Sequence, residues 1–311
     1  MSGTEAGTPD ADEGRREPFR SGFITFVGRP NAGKSTLTNA LVGEKIAITS
    51  DKPQTTRRAV RGIVHAPEGQ LVIVDTPGLH RPRTLLGERL NDVVAATLSE
   101  VDAIAFCLPA DERIGPGDRY IVEQLAAHPG PAKIGLVTKV EKASPEAVAA
   151  QLLQLDAMAP WEFLMPVSAL ERIRLDEFVR EALRLMPPGP PLYPAQMRTE
   201  ESFEQRAAEL VREAALQDAR QELPHSIAVT IEEVVLREDG SAREVYANLI
   251  VERDSQKGIV IGRGGGRLRR IREAAQAEIQ AISEDRIVLS LHVKVAKEWQ
   301  RDPKQLGRLG F

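Results

Sequence analysis

The segment GRPNAGKS, residues 28–35, constrains the fold of this chain more than any other part of the sequence. It follows the apolar run FITFV and leads into a stretch with helical spacing, residues 35–41. Two glycines five positions apart, then Lys34 and Ser35, form a loop whose backbone N–H groups surround a polyphosphate. The lysine adds positive charge there, and the serine hydroxyl binds Mg²⁺. A strand, this loop and a helix N-terminus in that order predict a nucleotide site within an α/β fold.

Apolar runs rich in β-forming residues alternate with helical patterns through the first part of the chain. The predicted strands are residues 23–27, 71–74, 103–108, 134–137 and 164–167, and the predicted helices include 86–98 and 147–155. Short apolar strands separated by helices favour a mostly parallel sheet covered on both faces. We therefore expect one such domain over residues 21–187, with its functional loops at the carboxyl ends of the strands.

The run PPGPP, residues 187–191, cannot continue a helix and predicts a stiff, extended linker over residues 188–197. A helix at 200–222, strands at 226–236 and 244–252, a Gly-rich loop, a helix at 267–282 and a strand at 287–295 are predicted after it. This order predicts a second, smaller α+β domain over residues 198–311.

Composition excludes several classes of protein. The net charge of −4 excludes a chain that binds polyanions over its whole surface, so a nucleic-acid site must be local. One cysteine, Cys107, excludes an intramolecular disulfide. The first twenty residues lack the apolar core of a signal peptide and read as a disordered tail, and no run approaches membrane-spanning length. We expect a soluble, intracellular protein located in the cytoplasm.

A second phosphate motif, DTPG, ends the predicted strand at residues 71–74. An acid at this place holds Mg²⁺ through water, and the glycine offers its N–H to a γ-phosphate. We expect the nucleotide and its metal to be contacted here by Asp75, Thr76, Pro77, Gly78 and Leu79.

The polar segment QTTR, residues 54–57, lies between two structured regions. A threonine in such a loop closes over Mg²⁺ when the γ-phosphate is present, which makes the loop a switch. The sequence does not decide between Thr55 and Thr56, and we favour Thr56, with Ser35 and Asp75 as the other metal ligands.

The segment TKVE, residues 138–141, resembles the guanine-reading motif Asn-Lys-x-Asp of the translation-factor class of GTPases. The resemblance implies GTP rather than ATP, with a carboxylate that accepts from guanine and a lysine stem that covers the base. Glu141 is one methylene longer than the family's Asp, and Thr138 is expected to lose the amide that braces the phosphate loop. These departures predict weaker or less selective guanine binding. The expected nucleotide contacts are Gly28, Arg29, Pro30, Asn31, Ala32, Gly33, Lys34, Ser35, Thr138, Lys139, Val140 and Glu141, with Ser168 and Ala169 as the family's last base-contacting loop.

Hydrolysis should rest on positioning and charge neutralisation. Many GTPases carry a water-orienting Gln after the DxxG glycine, but this chain has Leu79, which cannot orient or deprotonate water. In GTPases similar to this one, the residue equivalent to Asn31 helps to bind K⁺. We therefore expect slow turnover stimulated by K⁺, with Asn31, Lys34, Thr56 and Gly78 as the catalytic residues.

The stretch KGIVIGRGGGRLRRIR, residues 257–272, contains six Lys or Arg and no acid. It resembles the GxxG loop of a type II KH domain, which clamps the backbone of about four single-stranded nucleotides. Glycines let the nucleic-acid backbone approach, and arginines neutralise phosphates. The expected RNA contacts are Lys257, Ile261, Gly262, Arg263, Gly264, Gly265, Arg267 and Arg270.

Taken together, these motifs and the segments IGPGDRY, ELPHSIAV and VKVAKEWQRDPKQLGRLGF resemble the Era-type family of bacterial GTPases over residues 21–311. The resemblance implies a monomeric factor for assembly of the 30S subunit that binds near the 3′ end of small-subunit ribosomal RNA. It also implies peripheral contact with the inner face of the cell membrane.

Our leading hypothesis is a switch in which GTP orders residues 54–58 and 75–80 and alters RNA access. Two alternatives stay open on the residues alone. One is an RNA-binding module with a degraded nucleotide site, motivated by Thr138 and Glu141. The other is an ATP-using phosphotransferase, because a phosphate loop does not choose a base.

Overall fold

The computed structural model describes residues 18–50, 52, 55–78, 84–217 and 223–310. Gln54, Leu79 and His80, which the sequence placed in or beside the two switch loops, lie outside the described residues, as does most of the predicted tail. The first strand begins at Arg20, inside the range predicted as tail, because residues 20–22 already pair with the neighbouring strand.

The first domain contains a six-stranded sheet with helices on both faces. Its strands are Arg20–Val27 (β1), Val60–Ala66 (β2), Gly69–Asp75 (β3), Ala103–Pro109 (β4), Ala132–Thr138 (β5) and Phe163–Pro166 (β6). Its helices are Lys34–Val42 (α1), Leu85–Glu100 (α2), Pro116–Ala126 (α3), Pro145–Asp156 (α4) and Leu175–Arg184 (α5). The strand order is β2-β3-β1-β4-β5-β6, parallel except for β2.

Helices cover both faces of the central strands, and this explains their continuous apolar sequences. Every residue of β3 and β4 is buried. Ile24 and Ile73 face the layer that contains α1 and α5, whereas Ile104 and Phe106 face the layer of α2 to α4. The predicted parallel α/β sheet is confirmed, and β2 is an antiparallel edge strand that the sequence analysis did not identify.

The Pro-rich segment is bound to the first domain along much of its length rather than being a free spacer. Ser21 Oγ donates to the carbonyl of Pro190 at 2.6 Å. Buried Gln70 accepts through Oε1 from the backbone N–H groups of Leu192 and Tyr193, at 2.7 and 2.8 Å. Prolines cannot extend a strand ladder, but the Pro190 carbonyl and the N–H groups that follow it still find partners in side chains of β1 and β3. The linker predicted over residues 188–197 is therefore held against the first domain at these positions.

The second domain packs helices against a three-stranded sheet. Its helices are Phe203–Gln217 (α6), Leu223–Ser226 (α7), Asp254–Ile261 (α8), Gly266–Ala281 (α9) and Pro303–Leu309 (α10), and its strands are Ala228–Leu236 (β7), Arg243–Val251 (β8) and Ile287–Val295 (β9). β7 and β8 are antiparallel, and β8 and β9 are parallel. Val245 and Leu249 of β8 lie in one core with Ala275 and Ile279 of α9, so the amphipathic face of that helix closes the domain.

An apolar cluster joins the two domains. Leu86 and Leu90 of α2 pack with Trp299 and with Leu306 and Leu309 of α10, all of them buried. Burial of side chains of this size contributes about 1.5–3 kcal/mol each. The helix that follows the DTPG motif is thus packed directly on the carboxy-terminal segment.

Candidate nucleotide site and nucleic-acid interface

The phosphate loop turns sharply between β1 and α1. Gly33 at the N-cap of α1 has φ 91° and Asn31 has φ 65°, both in the left-handed region. This turn brings the N-terminus of α1, with its unsatisfied N–H groups, to the cavity described below. Lys34 Nζ lies 3.1 Å from the carbonyl oxygens of Gly28 and Arg29, and burial lowers the pKa of Lys34. The Lys34 side chain is therefore held within the phosphate loop, where it is expected to contact the phosphates.

Three oxygen-bearing side chains meet beside this lysine. Ser35 Oγ donates to Asp75 Oδ2 at 2.7 Å, and Thr56 Oγ1 lies 3.0 Å from Ser35 Oγ and 3.4 Å from Asp75 Oδ2. The Thr55 hydroxyl instead donates to the carbonyl of Lys52 at 2.7 Å. The geometry therefore brings Thr56, rather than Thr55, to the predicted metal site.

The carboxyl of Asp75 has capacity that the described residues do not use. Its Oδ1 is buried and has no hydrogen-bond partner among the described residues. Burial raises the pKa of Asp75 to about 6, against the hydrogen bond from Ser35 and the charge of Lys34. A carboxylate and two hydroxyls are the hard oxygen ligands that Mg²⁺ takes together with phosphates and waters. The donor set fits Mg²⁺.

The DTPG turn lies against the phosphate loop. Thr76 and Pro77 are buried at the end of β3. A Cβ built on Gly78 would lie 3.6 Å from Lys34 Nζ and 3.8 Å from the carbonyl oxygen of Gly28. The backbone of the DTPG turn therefore lies close to the Lys34 ammonium, the group that is predicted to neutralise the outer phosphates.

The base-reading loop is joined to the phosphate loop by a short buried hydrogen bond. Thr138 Oγ1 donates to the carbonyl of Ala32 at 2.7 Å. The expectation that Thr138 leaves the phosphate loop unbraced is therefore wrong, because β5 ends close enough for a hydroxyl to make the contact.

Glu141, the acid of the same loop, has a hydrogen-bond acceptor that no described residue uses. Glu141 Oε2 is buried and has no hydrogen-bond partner among the described residues. Lys139 has φ 57°, and its Cε lies 3.9 Å from the position of a Cβ on Gly33. The carboxyl of Glu141 thus keeps an acceptor oxygen that the described residues do not use.

Three of the predicted nucleotide contacts, Val140, Ser168 and Ala169, have side chains that contact the protein instead. Val140 packs into the apolar layer of α4, so the nucleotide would meet its backbone. Ser168 is fully buried, and its Oγ accepts from the N–H of Glu171 at 3.0 Å. Ala169 packs against the core on the other face of the sheet. These three side chains therefore support the predicted base-contacting loops through contacts within the protein.

An ionic network that the sequence analysis missed supports the phosphate loop. Arg29 Nε donates to Asp118 Oδ1 at 2.8 Å, and Arg29 Nη2 lies 3.1 Å from Glu112 Oε2. Asp118 is fully buried at the start of α3 and also accepts from the N–H of Gly115 at 2.8 Å. Arg29, predicted as a nucleotide contact, therefore turns its side chain towards α3. An acid three residues after the Gly115 N-cap was the available sequence signal.

The nucleotide residues open onto a cavity shared by both domains. Its volume is about 1540 Å³, and it is lined by the phosphate loop on one side and by residues 252–254, 256, 297, 298, 300 and 301 on the other. Small-molecule sites commonly enclose about 300–1,000 Å³. The additional space lies between the domains, so the second domain forms one wall of the candidate site.

The Gly-rich loop of the second domain is an exposed turn between α8 and α9. Gly262, Gly264 and Gly265 all have positive φ, and a Cβ on Gly264 would meet no atom within 4 Å. Arg263 and Arg270 are exposed, and Ile261 and Lys257 are half-buried at the base of the turn. The turn presents backbone and positive charge to solvent, as a backbone clamp requires.

Arg267 differs from the other predicted RNA contacts. Its Nη1 donates to the carbonyl of Ile259 across the turn at 3.3 Å, and its side chain is half-buried. The guanidinium links α8 to α9, so its first role in this structure is to hold the shape of the loop.

The switch segment reaches into the second domain. Arg57 is 2% exposed, and its Nη1 donates to the carbonyl of Ile227 at 2.6 Å. Its guanidinium lies 5.7 Å from the centre of the Trp299 ring, which is within cation–π range. Burial, followed by the charge of Arg212, lowers the pKa of Arg57 to about 9, so it stays protonated at neutral pH.

These features define a GTP-binding domain of the P-loop class that is followed by a KH domain. A family model described as "50S ribosome-binding GTPase" matches residues 23–139, and a KH-domain model matches residues 222–300. The chain belongs to the Era family of GTPases.

Relatives match over almost the whole chain. GTPase Era of Mycolicibacterium smegmatis is 57% identical over 296 residues, 94% of this chain and 99% of the relative. GTPase Era of Streptomyces coelicolor is 52% identical over 313 residues, 98% of this chain and 99% of the relative. The resemblance inferred from the motifs is confirmed.

Solved structures agree with the sequence relatives. A crystal structure of Era in complex with MgGDPNP and nucleotides 1506–1542 of 16S ribosomal RNA has a TM-score of 0.90 at 35% identity. A variant of Aquifex aeolicus Era bound to GDP and AlF4⁻ also has a TM-score of 0.90, at 34% identity. Each covers 94% of this chain and 99% of the solved chain. The predicted fold class is confirmed in both domains.

Proposed function

We propose that this chain hydrolyses GTP to GDP and phosphate with Mg²⁺, and that its KH domain binds the 3′ region of small-subunit ribosomal RNA during assembly of the 30S subunit. The observation that carries the proposal is the convergence of Ser35, Thr56 and Asp75 beside Lys34, in a cavity whose other wall is the KH domain. The relative crystallised with MgGDPNP and 16S ribosomal RNA supports both halves of the proposal.

The chain's own residues act by binding and charge placement. Lys34 and the N-terminus of α1 hold the phosphates, and the N–H of Gly78 meets the outermost one. Ser35, Thr56 and Asp75 would hold Mg²⁺, which neutralises charge that develops on the phosphate oxygens. Glu141 accepts from the base, and Thr138 keeps the base loop fixed to the phosphate loop.

We also propose that K⁺ assists hydrolysis at Asn31. This residue is exposed at the turn of the phosphate loop and lines the cavity. Its amide offers an oxygen ligand close to the phosphates, where a monovalent cation adds the positive charge that an arginine finger gives other GTPases.

The alternative of a degraded nucleotide site loses its main support. That alternative rested on Thr138 and Glu141, yet Thr138 braces the phosphate loop, and Oε2 of Glu141 has no hydrogen-bond partner among the described residues. The membership in a GTPase family also disfavours an ATP-using phosphotransferase.

One titration tests the proposal. The affinities of GTP, GDP and ATP are measured with and without a short single-stranded RNA, together with GTP turnover, and Lys34→Ala serves as the inactive control. We expect GTP and GDP to bind, ATP to bind much more weakly, and RNA to alter GTP affinity by the factor with which GTP alters RNA affinity. Equal RNA affinity in the GTP and GDP states would remove the switch.

Location and assembly state stay proposals. Among the described residues, no helix is both long enough and apolar enough to cross a bilayer. We propose a monomer in the cytoplasm, with a peripheral contact at the inner face of the cell membrane that rests on the family resemblance alone.

A further inference from the structure

Two consecutive residues of α6, Arg212 and Glu213, contact the first domain at Thr55, within the switch segment, and at Thr49, ahead of that segment. Glu213 is 3% exposed, and its Oε1 accepts from the backbone N–H of Thr49 at 2.9 Å. Arg212 is 1% exposed, and its Nη2 donates to the backbone carbonyl of Thr55. Charged side chains are almost never buried this fully without a partner. Besides the opposite charges of Glu209 and Lys45, each side chain contacts a backbone group more than 150 residues away, and one of these groups precedes a proposed metal ligand.

The guanidinium of Arg212 is held rigidly. Glu209, one turn earlier on α6, accepts from its Nε at 2.9 Å and from its Nη2 at 2.5 Å. A bidentate pair fixes the plane of the guanidinium, which a lysine ammonium could not reproduce. The group that donates to the Thr55 carbonyl, Arg212 Nη2, therefore belongs to a helix rather than to a loop.

The contact with Thr55 acts on its neighbour. The peptide plane that contains the Thr55 carbonyl also contains the N–H and Cα of Thr56. Holding that carbonyl therefore fixes the start of Thr56, whose hydroxyl lies 3.0 Å from Ser35 Oγ. A shift of about 1 Å at this point would separate the two hydroxyls beyond hydrogen-bond range.

We propose that Arg212 is a positioning residue for GTP hydrolysis, supplied by the KH side of the molecule. It holds Thr56 at the Mg²⁺ site, while Glu213 holds the backbone at Thr49, ahead of the switch segment. The proposal rests on the proposed GTPase function and names the helix through which the nucleotide state reaches the KH domain.

A continuous set of contacts leads from α6 towards the RNA loop. Lys45 Nζ lies 2.6 Å from Glu213 Oε2 and 2.8 Å from Glu278 Oε2 on α9. α9 begins directly after the Gly-rich turn, and α6 shares its core with α9. GTP, which requires Thr56 at the metal, therefore favours the docked position of α6. By linkage, RNA that favours this position strengthens GTP binding by the same factor.

The test compares two arginines of the same helix. Arg206 also makes an interdomain ion pair, with Glu44 at 2.6 Å, but it does not contact Thr55. For the full-length chain with Mg²⁺, Arg212→Met is expected to weaken a non-hydrolysable GTP analogue and to lower kcat by about tenfold each, the value of one hydrogen bond to a charged group. GDP affinity should change by less than about twofold, because Thr56 serves only the triphosphate state. Arg206→Met should leave all three quantities within about twofold of the wild type.

Distinct results overturn distinct claims. Equal weakening of GDP and of the analogue, or no weakening of either, overturns the positioning role. A wild-type chain that does not hydrolyse GTP overturns the proposed function instead. Because Arg212→Met leaves Glu209 without its partner, two measurements do not depend on that variant folding. Arg212→Lys keeps the positive charge but loses the bidentate guanidinium. It should also weaken the GTP analogue and lower kcat while leaving GDP affinity nearly unchanged. In the wild type, amide hydrogen exchange in residues 203–217 should be slower with the Mg²⁺-bound analogue than with GDP, and identical exchange contradicts the proposal.

Discussion

The hydroxyl of Thr138 donates a 2.7 Å hydrogen bond to the carbonyl of Ala32 and so joins the base-reading loop to the phosphate loop. Both residues are buried. The two loops that are predicted to contact opposite ends of a nucleotide are therefore directly connected, although residue 138 lacks the amide found in the family motif. A shorter side chain is sufficient because Thr138 is the last residue of β5, beside the end of β4.

We expect Thr138→Val to weaken GTP and GDP binding equally, by about tenfold. Valine has nearly the shape of threonine, so the change leaves the buried Ala32 carbonyl without this donor and alters little else. Thr138→Ser keeps the hydroxyl and should bind as the wild type does. Fluorescence titration with labelled nucleotides measures all three proteins. Normal affinity in the valine variant would show that the brace contributes nothing to recognition.

Replacement of Asn31 tests the potassium proposal. GTP turnover of the wild type should be higher in K⁺ than in Na⁺ at equal ionic strength, and Asn31→Ala should turn over equally in both salts. The affinity for GDP should change little, because the cation acts on charge that develops during hydrolysis. A potassium dependence that survives in Asn31→Ala would exclude this residue as the ligand.

The acid strength of Asp75 predicts how metal binding depends on pH. Burial raises the pKa of Asp75 to about 6, so the metal-free carboxyl takes up a proton as the pH falls through this value. Mg²⁺ needs the carboxylate, so a proton competes with it, and the metal-dependent part of nucleotide affinity should fall by up to about tenfold per pH unit below the pKa. GDP titrations with Mg²⁺ and with EDTA, between about pH 5 and 8, measure that part. A metal-dependent part that stays constant over this range would contradict the effect of burial.

The two acids that pair with Arg29 should differ in importance. Asp118 is fully buried and Glu112 has a side chain that is 40% exposed. Asp118→Asn removes the buried, charge-assisted partner of the Arg29 guanidinium and should weaken binding of both nucleotides by about tenfold. Glu112→Gln breaks a solvent-screened pair, which is worth about 0–1 kcal/mol, and should bind nearly as the wild type does. Equal effects of the two changes would mean that burial does not decide the strength of this network.

The sequence predicted the elements that have a local signal. The phosphate loop, the buried strands and the Gly-rich turn each carry their geometry in consecutive residues, and Lys34, Asp75 and Gly264 are placed as their motifs imply. The edge strand β2 was missed because Arg61 and Gly62 interrupt its apolar pattern.

The contacts between the two domains had no signal in consecutive residues of the sequence. Arg57 and Arg212 are buried only because segments more than 150 residues apart meet, and a charged residue in a sequence is usually solvated. The Pro-rich segment was predicted to be an extended linker, but the sequence did not indicate its partners, such as Gln70, which lies on a strand over a hundred residues earlier. Long-range pairing decides these positions, and local patterns do not contain it.

The exposed arginines of the Gly-rich turn should contribute to RNA affinity through phosphate charge. Arg263→Ala is expected to weaken binding of single-stranded RNA for all sequences alike and to reduce the salt slope of log K by about 0.7–1, because one phosphate contact is lost. Arg237 is a matched control, since it is a half-exposed arginine of the same domain that pairs with Glu244 at 2.6 Å on β8, away from the turn. Arg237→Ala should leave both the affinity and the slope unchanged. Titrations at several salt concentrations distinguish the two variants, and an unchanged slope in Arg263→Ala would place the RNA backbone elsewhere on the domain.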